Sequence, residues 1–96
     1  MKYPFMTLEN ETEINHTELM PNSKVRVYIE TPDAEDCFHH LTVWLPDFEI
    51  EEVYRYDEAE AAQYLQIVRD NQSAIMEAAE RGALELAADP DRQLPE

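Results

Sequence analysis

The sequence predicts an α+β fold: an antiparallel sheet of about four strands followed by one long C-terminal helix packed on one face, in the order ββββα. Three observations predict it. Apolar and polar residues alternate in several short segments of the first half, turn-forming residues separate these segments, and the apolar period then changes to about 3.6 residues. Because the strands precede the helix instead of alternating with it, the class is α+β rather than α/β.

Two segments have a strong strand pattern and two have a weaker one. In residues 24–31 (KVRVYIET), Val25, Val27 and Ile29 alternate with polar or aromatic residues, and residues 38–45 (FHHLTVWL) show the same period of two. The weaker candidates are residues 3–8 and 12–19.

The segment 48–54 (FEIEEVY) begins with a period of two that breaks at Glu51 and Glu52. A further strand, a bulged edge strand and a turn of helix all fit this pattern. The chain has only one glycine, although tight hairpin turns usually need that residue. The turns must therefore rely on Asn, Asp and Pro, and we expect them at residues 9–11, 21–23 and 31–36.

A helix is predicted from Asp57 onwards. Asp57 and Glu60 have the spacing of an N-terminal capping pair, and acidic residues are favoured there by the helix dipole. Asp70 and Asn71 are weak helix formers, so a break between two helical parts is compatible with the pattern. The apolar stripe of the helix consists of Ala61, Tyr64, Leu65, Val68, Ile75, Met76 and Ala79.

The end of the helix is predicted near Gly82, which suits the position after a helix C-terminus. Residues 83–88 could add one or two further turns before Pro90 stops the helix. Ninety-six residues do not supply a second core. We therefore expect a single domain at residues 1–88 and a flexible C-terminal tail at residues 89–96.

One helix covers one face of a sheet, so the other face is predicted to be open. Period-two alternation places on it Arg26, Tyr28, His40, Thr42 and Trp44. Exposed aromatic side chains on a sheet often mark an interface with another protein. The same side chains would also suit a homodimer seam, or a second small core covered by residues 48–54 or by the first strand.

Charge is the most unusual property of the chain. Twenty-two acidic residues against seven basic ones give a formal net charge of −15. Nucleic acids and anionic membranes are excluded as direct partners because like charges would meet, whereas a basic protein surface would be attracted. The plainer interpretation is that these carboxylates only solvate turns, strand faces and a helix N-terminus.

The segment DCFHH, residues 36–40, contains the only cysteine and two of the three histidines. In an extended strand, Cys37 and His39 point to one face while Asp36 and His40 point to the other, so at most two metal ligands converge. Neighbours on a strand also diverge too much for a Cys–His catalytic pair. We predict no catalytic residue, no metal site and no cofactor, and an enzyme that uses Cys37 or a histidine is the least favoured alternative.

The expected location is the cytoplasm. A single cysteine cannot form an internal disulfide, which suits a reducing compartment. The first residues lack the apolar run of a secretory signal, and no stretch approaches the roughly 18 apolar residues of a membrane span.

These observations predict a small acidic, non-enzymatic protein that inhibits or sequesters a basic, nucleic-acid-handling partner such as a nucleic-acid-binding protein or a nuclease complex. In size and charge the chain is analogous to antitoxins, nuclease inhibitors, DNA mimics and phage-encoded anti-defence inhibitors of the anti-CRISPR type. The alternative is a homo-oligomeric accessory or structural module without polyanion mimicry. The candidate partner-binding residues are Asp33, Glu35, Asp36, Glu49, Glu51, Glu52, Glu58 and Glu60, with Tyr28 and Trp44 as aromatic anchors.

Overall fold

Five strands and two helices follow one another along the chain in a computed structural model, which describes residues 2–33 and 37–88 and their side chains except those at positions 33, 37, 38 and 85–88. The elements are β1 (Lys2–Thr7), β2 (Glu13–Thr17), β3 (Val25–Asp33), β4 (Cys37–Leu45), β5 (Glu49–Tyr54), α1 (Glu58–Asp70) and α2 (Gln72–Ala88). The predicted tail at 89–96 and residues 34–36 of the predicted turn at 31–36 lie outside the described residues, and residues 31–33 of that turn belong to β3 instead.

The strands form one antiparallel sheet in which each strand pairs with the next, in the order β1-β2-β3-β4-β5. The predicted α+β class is confirmed, but the sheet has five strands instead of about four. The additional strand is β5, where Val53 pairs with Leu41 and Ile50 pairs with Val43. Glu51 is the extra residue of a β-bulge, and the bulge accounts for the break in alternation at this point.

The prediction of one long helix is wrong, because α1 ends at Asp70 and α2 begins at Gln72. Asn71 separates them. Its side-chain amide donates to the Ile67 carbonyl oxygen at 2.8 Å, which satisfies one of the last carbonyl groups of α1. Among the described helices, none is long and apolar enough to cross a membrane.

Gly82 does not end a helix, since α2 continues to Ala88, which agrees with the alternative of further turns over residues 83–88. A Cβ atom at this position would lie 3.2 Å from Cε2 and 3.3 Å from Cζ of Tyr3. Glycine is therefore suited to the close approach of α2 to β1 rather than to a left-handed backbone. That contact joins residues 79 positions apart, so no local pattern indicates it.

The helices cover one face of the sheet, hereafter the covered face. Its central strand residues are completely buried at 0% exposure, namely Val25, Val27, Ile29, Leu41, Val43 and Leu45. Val68 and Ile75 of the helices, also at 0%, pack against them. The opposite face, hereafter the open face, carries Arg26, Tyr28, His40, Thr42 and Trp44, so the alternation in the sequence divided the two faces as expected.

The turns have left-handed backbone at residues other than glycine. Glu11, Ser23, Phe48 and Arg55 have φ angles of 68°, 64°, 62° and 74°. Two of these residues, Glu11 and Ser23, lie in the predicted Asn-containing turns, where the Asn10 and Asn22 side chains accept hydrogen bonds from the backbone N–H groups of Thr12 and Lys24. Asparagine thus supplies the turn contacts in a chain that has almost no glycine.

Candidate functional site

Five of the eight predicted partner-binding carboxylates lie on one continuous stretch of chain. Glu49, Glu51 and Glu52 belong to β5, and Glu58 and Glu60 belong to the first turn of α1. Asp47 in the β4–β5 turn and Asp57 before α1 extend the same stretch. We call this set of seven carboxylates, from Asp47 to Glu60, the acidic edge. Of the other three predicted acids, the Asp33 side chain and the residues Glu35 and Asp36 lie outside the described part of the chain.

The β5 part of the acidic edge lies along one side of the sheet because β5 pairs only with β4. All six residues of β5 are exposed. The stretch contains a single basic residue, Arg55, so seven carboxylates and one guanidinium give it a formal charge of −6. The charge pattern of the sequence shows this surplus, but only strand order shows that it lies on an exposed edge.

Glu51 is held by the open face. Arg26 donates to both of its carboxylate oxygens, from Nε at 2.9 Å and from a terminal nitrogen at 2.6 Å, and the Trp44 indole nitrogen donates at 2.9 Å. This two-pronged geometry is the strongest form of an Arg–carboxylate contact. The Glu51 side chain is therefore held in place at the side of the acidic edge that faces Arg26 and Trp44. It has fewer free acceptor positions than the neighbouring carboxylates.

The other carboxylates of the acidic edge differ in whether a basic side chain of the same chain pairs with them. Asp47 pairs with the Lys24 ammonium at 2.9 Å, and this hydrogen bond raises the pKa of Lys24. Glu52 lies 3.3 Å from Nε2 of His40, which is a charge pair only when the imidazole is protonated. Within the described part of the chain, Glu49 and Glu58 have no ion pair.

The carboxylates at the start of α1 also stabilise the helix. Asp57 accepts a hydrogen bond from the Glu60 backbone N–H at 2.8 Å, and the Glu60 side chain accepts from the Asp57 backbone N–H at 3.2 Å. This is the predicted capping box, and the structure confirms it. Glu58 has no part in that exchange and remains the exposed acid of the first turn.

The two predicted aromatic anchors are half-buried on the open face. The Arg26 guanidinium carbon lies 5.1 Å from the ring centroid of Tyr28 and 5.7 Å from that of Trp44, and Lys2 Nζ lies 4.5 Å from the Tyr28 ring. Cations thus cover both rings within the chain. Trp44 still borders the acidic edge, because it pairs with Glu49, whereas Tyr28 lies one strand further from it.

Three exposed apolar groups lie on β5 and were missed by sequence reasoning. Ile50, Val53 and Tyr54 are 48%, 44% and 43% exposed. Ile50 and Val53 face the side of the helices, yet the helices do not reach over them. The available signal was the partial alternation of residues 48–54, but alternation by itself does not distinguish an uncovered edge strand from a buried one.

A buried hydroxyl cluster supports the junction where β5 passes into α1. Thr31 Oγ1 contacts Tyr56 OH at 2.7 Å and Thr12 Oγ1 at 2.6 Å, and Thr12 Oγ1 lies 3.3 Å from Tyr64 OH. Burial is the main cause that raises the pKa of Tyr56, with Tyr64 and the Glu60 and Glu30 carboxylates adding to it. These contacts tie the β5–α1 junction within the acidic edge to β2, β3 and α1.

The histidines of DCFHH diverge. The His39 ring lies on the covered side, 5.8 Å from the Tyr56 ring, while His40 stacks on Tyr54 at 5.0 Å on the open face. Asp36 and the Cys37 side chain lie outside the description. Among the residues that are described, no group of three or more His, Cys, Asp or Glu side chains could hold a metal ion.

Carboxylates also line a second surface, a groove of about 390 Å³ at the far end of β1, β2 and β3. Glu11, Glu13 and Glu30 border it, but Glu30 already pairs with Lys2 at 3.4 Å. A shallower depression of about 210 Å³ on the open face is lined by both cationic and anionic side chains. Neither has the apolar enclosure of a small-molecule site.

Comparison of the chain with protein-family models, with curated proteins and with solved structures gives no match. The arrangement itself must therefore indicate what the protein can do. A dense row of exposed carboxylates beside exposed apolar side chains can bind a cationic surface and desolvate part of it.

Proposed function

We propose that this protein is a small acidic, non-enzymatic binding protein that inhibits or sequesters a basic, nucleic-acid-handling partner. The observation that carries the proposal is the acidic edge, in which seven carboxylates and one arginine occupy fourteen consecutive residues, from the β4–β5 turn through the exposed edge strand β5 to the first turn of α1. The ion pairs of Asp47 and Glu51 with Lys24 and Arg26 remove two of these charges. A formal charge of −4 remains on the edge.

The physical basis is competition for a surface that otherwise holds a polyanion. Proteins that bind nucleic acids place Lys and Arg side chains along the phosphates of the backbone. A DNA duplex carries one phosphate charge for about every 1.7 Å of its axis. A row of carboxylates on a rigid edge strand and helix start can form charge-assisted hydrogen bonds with the same cations. The long-range field would also speed association, in a manner that salt suppresses.

The first test is the salt dependence of binding to a short, fluorescently labelled arginine-rich peptide that is already bound to a DNA duplex. At about 50 mM salt the protein should displace the duplex from the peptide, and its direct binding to the free peptide should be lost at about 500 mM salt because the charges are screened. Binding to the free peptide that is undiminished at the higher salt would rule out electrostatic mimicry, as would a low-salt complex in which peptide, duplex and protein stay together.

A matched pair of triple variants separates the acidic edge from net charge. E49Q/E52Q/E58Q removes three edge carboxylates, and E9Q/E77Q/E80Q removes three exposed carboxylates elsewhere, so both change the formal charge from −15 to −12. At about 0.5 kcal/mol for each exposed pair, the edge variant should bind the peptide about tenfold more weakly. Equal weakening in both variants would mean that the edge has no special role.

The alternative of a homo-oligomeric accessory module joined through the open face has less support. The rings that would form its seam, Tyr28 and Trp44, are covered by Lys2 and Arg26 of the same chain. Two copies would also each carry a formal charge of −15. Sedimentation distinguishes the proposals, because a tight dimer that Trp44→Ala abolishes would favour the module and contradict a monomeric acidic inhibitor.

A further inference from the structure

The strand β5 has the properties of a site for strand addition. It pairs only with β4, so the backbone groups on its outer side have no strand partner within the described chain. The opposite edge strand, β1, contains Pro4 and Lys2, which are both devices that block edge pairing. β5 contains neither proline nor lysine, and the β-bulge at Glu51 is the one feature that interrupts it.

The two faces of β5 would select the side chains of an added strand. Glu49 and Glu52 pair with Trp44 and Thr42 and so lie on the open face, while Ile50 and Val53 lie on the covered face. Side chains of an added strand alternate between the same two faces. A segment beside β5 would therefore place cationic residues next to the two glutamates and apolar residues next to Ile50 and Val53.

A second copy of the chain is a poor occupant of this edge. The strand EIEEVY carries three glutamates and no basic residue, so pairing of two β5 strands would bring carboxylates together. Like charges directly opposite one another destabilise a strand pair. The same charges favour a basic strand, which means that this edge discriminates between self-association and a cationic partner.

We propose that β5 binds an extended segment of the basic partner by strand addition, and that this segment alternates Lys or Arg with apolar residues. The inference rests on the proposed function and gives it a binding mode. Backbone hydrogen bonds to β5 supply affinity for any extended chain, whereas Glu49, Glu52, Ile50 and Val53 supply the preference for the alternating pattern. Glu51 remains bound to Arg26 and Trp44 and keeps the bulge in place.

The test uses a labelled peptide of about eight residues that alternates lysine and valine, a length suited to one strand. The first control has the same composition with the lysines and valines in two blocks, and the second is methylated on alternate backbone nitrogens. We expect each control to bind at least about tenfold more weakly than the alternating peptide, and hydrogen exchange of the β5 amides to slow when that peptide binds. Equal binding of all three peptides with unchanged exchange in β5 would overturn the inference.

Protein variants provide the second measurement. I50T/V53T removes the exposed apolar groups without altering charge, and Leu84→Thr is a control because Leu84 is 70% exposed on α2. We expect I50T/V53T to lose preference for the alternating peptide over the block peptide, and Leu84→Thr to keep it. If these peptide effects are absent while E49Q/E52Q/E58Q still weakens displacement of the DNA duplex at low salt, only strand addition fails. If the protein displaces no duplex at low salt, the proposed function itself fails.

Discussion

The covered face and the open face of the sheet use alternate residues of the same strands, but different forces hold their side chains. On β4, Leu41 and Val43 are completely buried against the helices, while His40 and Trp44 on the open face contact charged or aromatic neighbours. Burial of an aliphatic side chain contributes about 1.5–3 kcal/mol, whereas an exposed ion pair contributes about 0–1 kcal/mol. The difference indicates that one face supplies stability and leaves the other, with its β5 border, available for binding.

The largest effect should come from Leu41→Ala on the covered face. Removal of a completely buried leucine leaves a cavity and should lower the free energy of unfolding by about 2–5 kcal/mol. His40→Ala, one residue earlier on the open face, should cost about 1 kcal/mol or less. Urea denaturation measures both, and equal losses would contradict the division of roles between the faces.

The next largest loss of stability is expected in the hydroxyl cluster on the covered side. Thr31→Val removes the hydroxyl that contacts both Tyr56 and Thr12, and it should cost about 1–3 kcal/mol because buried hydroxyls lose their partners. Thr7→Val, at an exposed position of β1, should change stability by about 0.5 kcal/mol or less. If the two substitutions had the same effect in thermal denaturation, the cluster would not support the β5–α1 junction.

Alkaline pH should weaken the same region through Tyr56. Burial raises the pKa of Tyr56 in the folded protein above its ordinary value of 10.0. Above about pH 10 the unfolded chain loses this proton while the folded chain retains it, so the free energy of unfolding should fall as pH rises. Tyr56→Phe should reduce that slope, which urea denaturation at a series of alkaline pH values measures, and an unchanged slope would contradict the role of Tyr56.

The contact of Gly82 with Tyr3 tests how closely α2 packs against β1 at the border of the covered face. Replacing glycine with alanine inside a helix normally stabilises it by about 1 kcal/mol. Gly82→Ala should not give this stabilisation, because the added Cβ would crowd the Tyr3 ring. In a Tyr3→Ala background the same substitution should become stabilising. A double-mutant cycle measures this coupling, and additive effects would show that the ring moves aside without cost.

The smallest effect is expected on the open face. Arg26→Ala breaks the two-pronged contact with Glu51 and uncovers the Trp44 ring, yet it should cost only about 1 kcal/mol or less. The tryptophan emission should shift to longer wavelength as the ring becomes more hydrated. A loss as large as that of Leu41→Ala would mean that the open face also holds the fold together.

The sequence predicts well whatever depends on neighbouring residues. Alternation within strands separates Val27 from Arg26 and Leu41 from His40, since successive strand residues point to opposite faces. The capping box of Asp57 and Glu60 also follows from spacing, because both contacts lie within one helical turn. The concentration of carboxylates between Asp47 and Glu60 is likewise visible without a structure, although its exposure along an edge is not.

The features that sequence reasoning left open or misread depend on contacts between distant residues. Alternation in residues 48–54 is compatible with several structures, and pairing with β4 selects an edge strand with a bulge. Gly82 has the local character of a helix end, but the approach of α2 to Tyr3 keeps it inside the helix. The covering of Tyr28 and Trp44 by cations is also decided by neighbours across the sheet.

The chain by itself therefore determined its class, the two faces of its central strands, the start of its helical region and its surplus of negative charge. These follow from backbone periodicity and composition, which act over a few residues. Only the tertiary structure decided the number of strands, the continuation of α2 through Gly82 and the exposure of β5 in the acidic edge. The physical reason is that strand pairing and helix docking join residues far apart in sequence, and those contacts determine which polar groups remain at the surface.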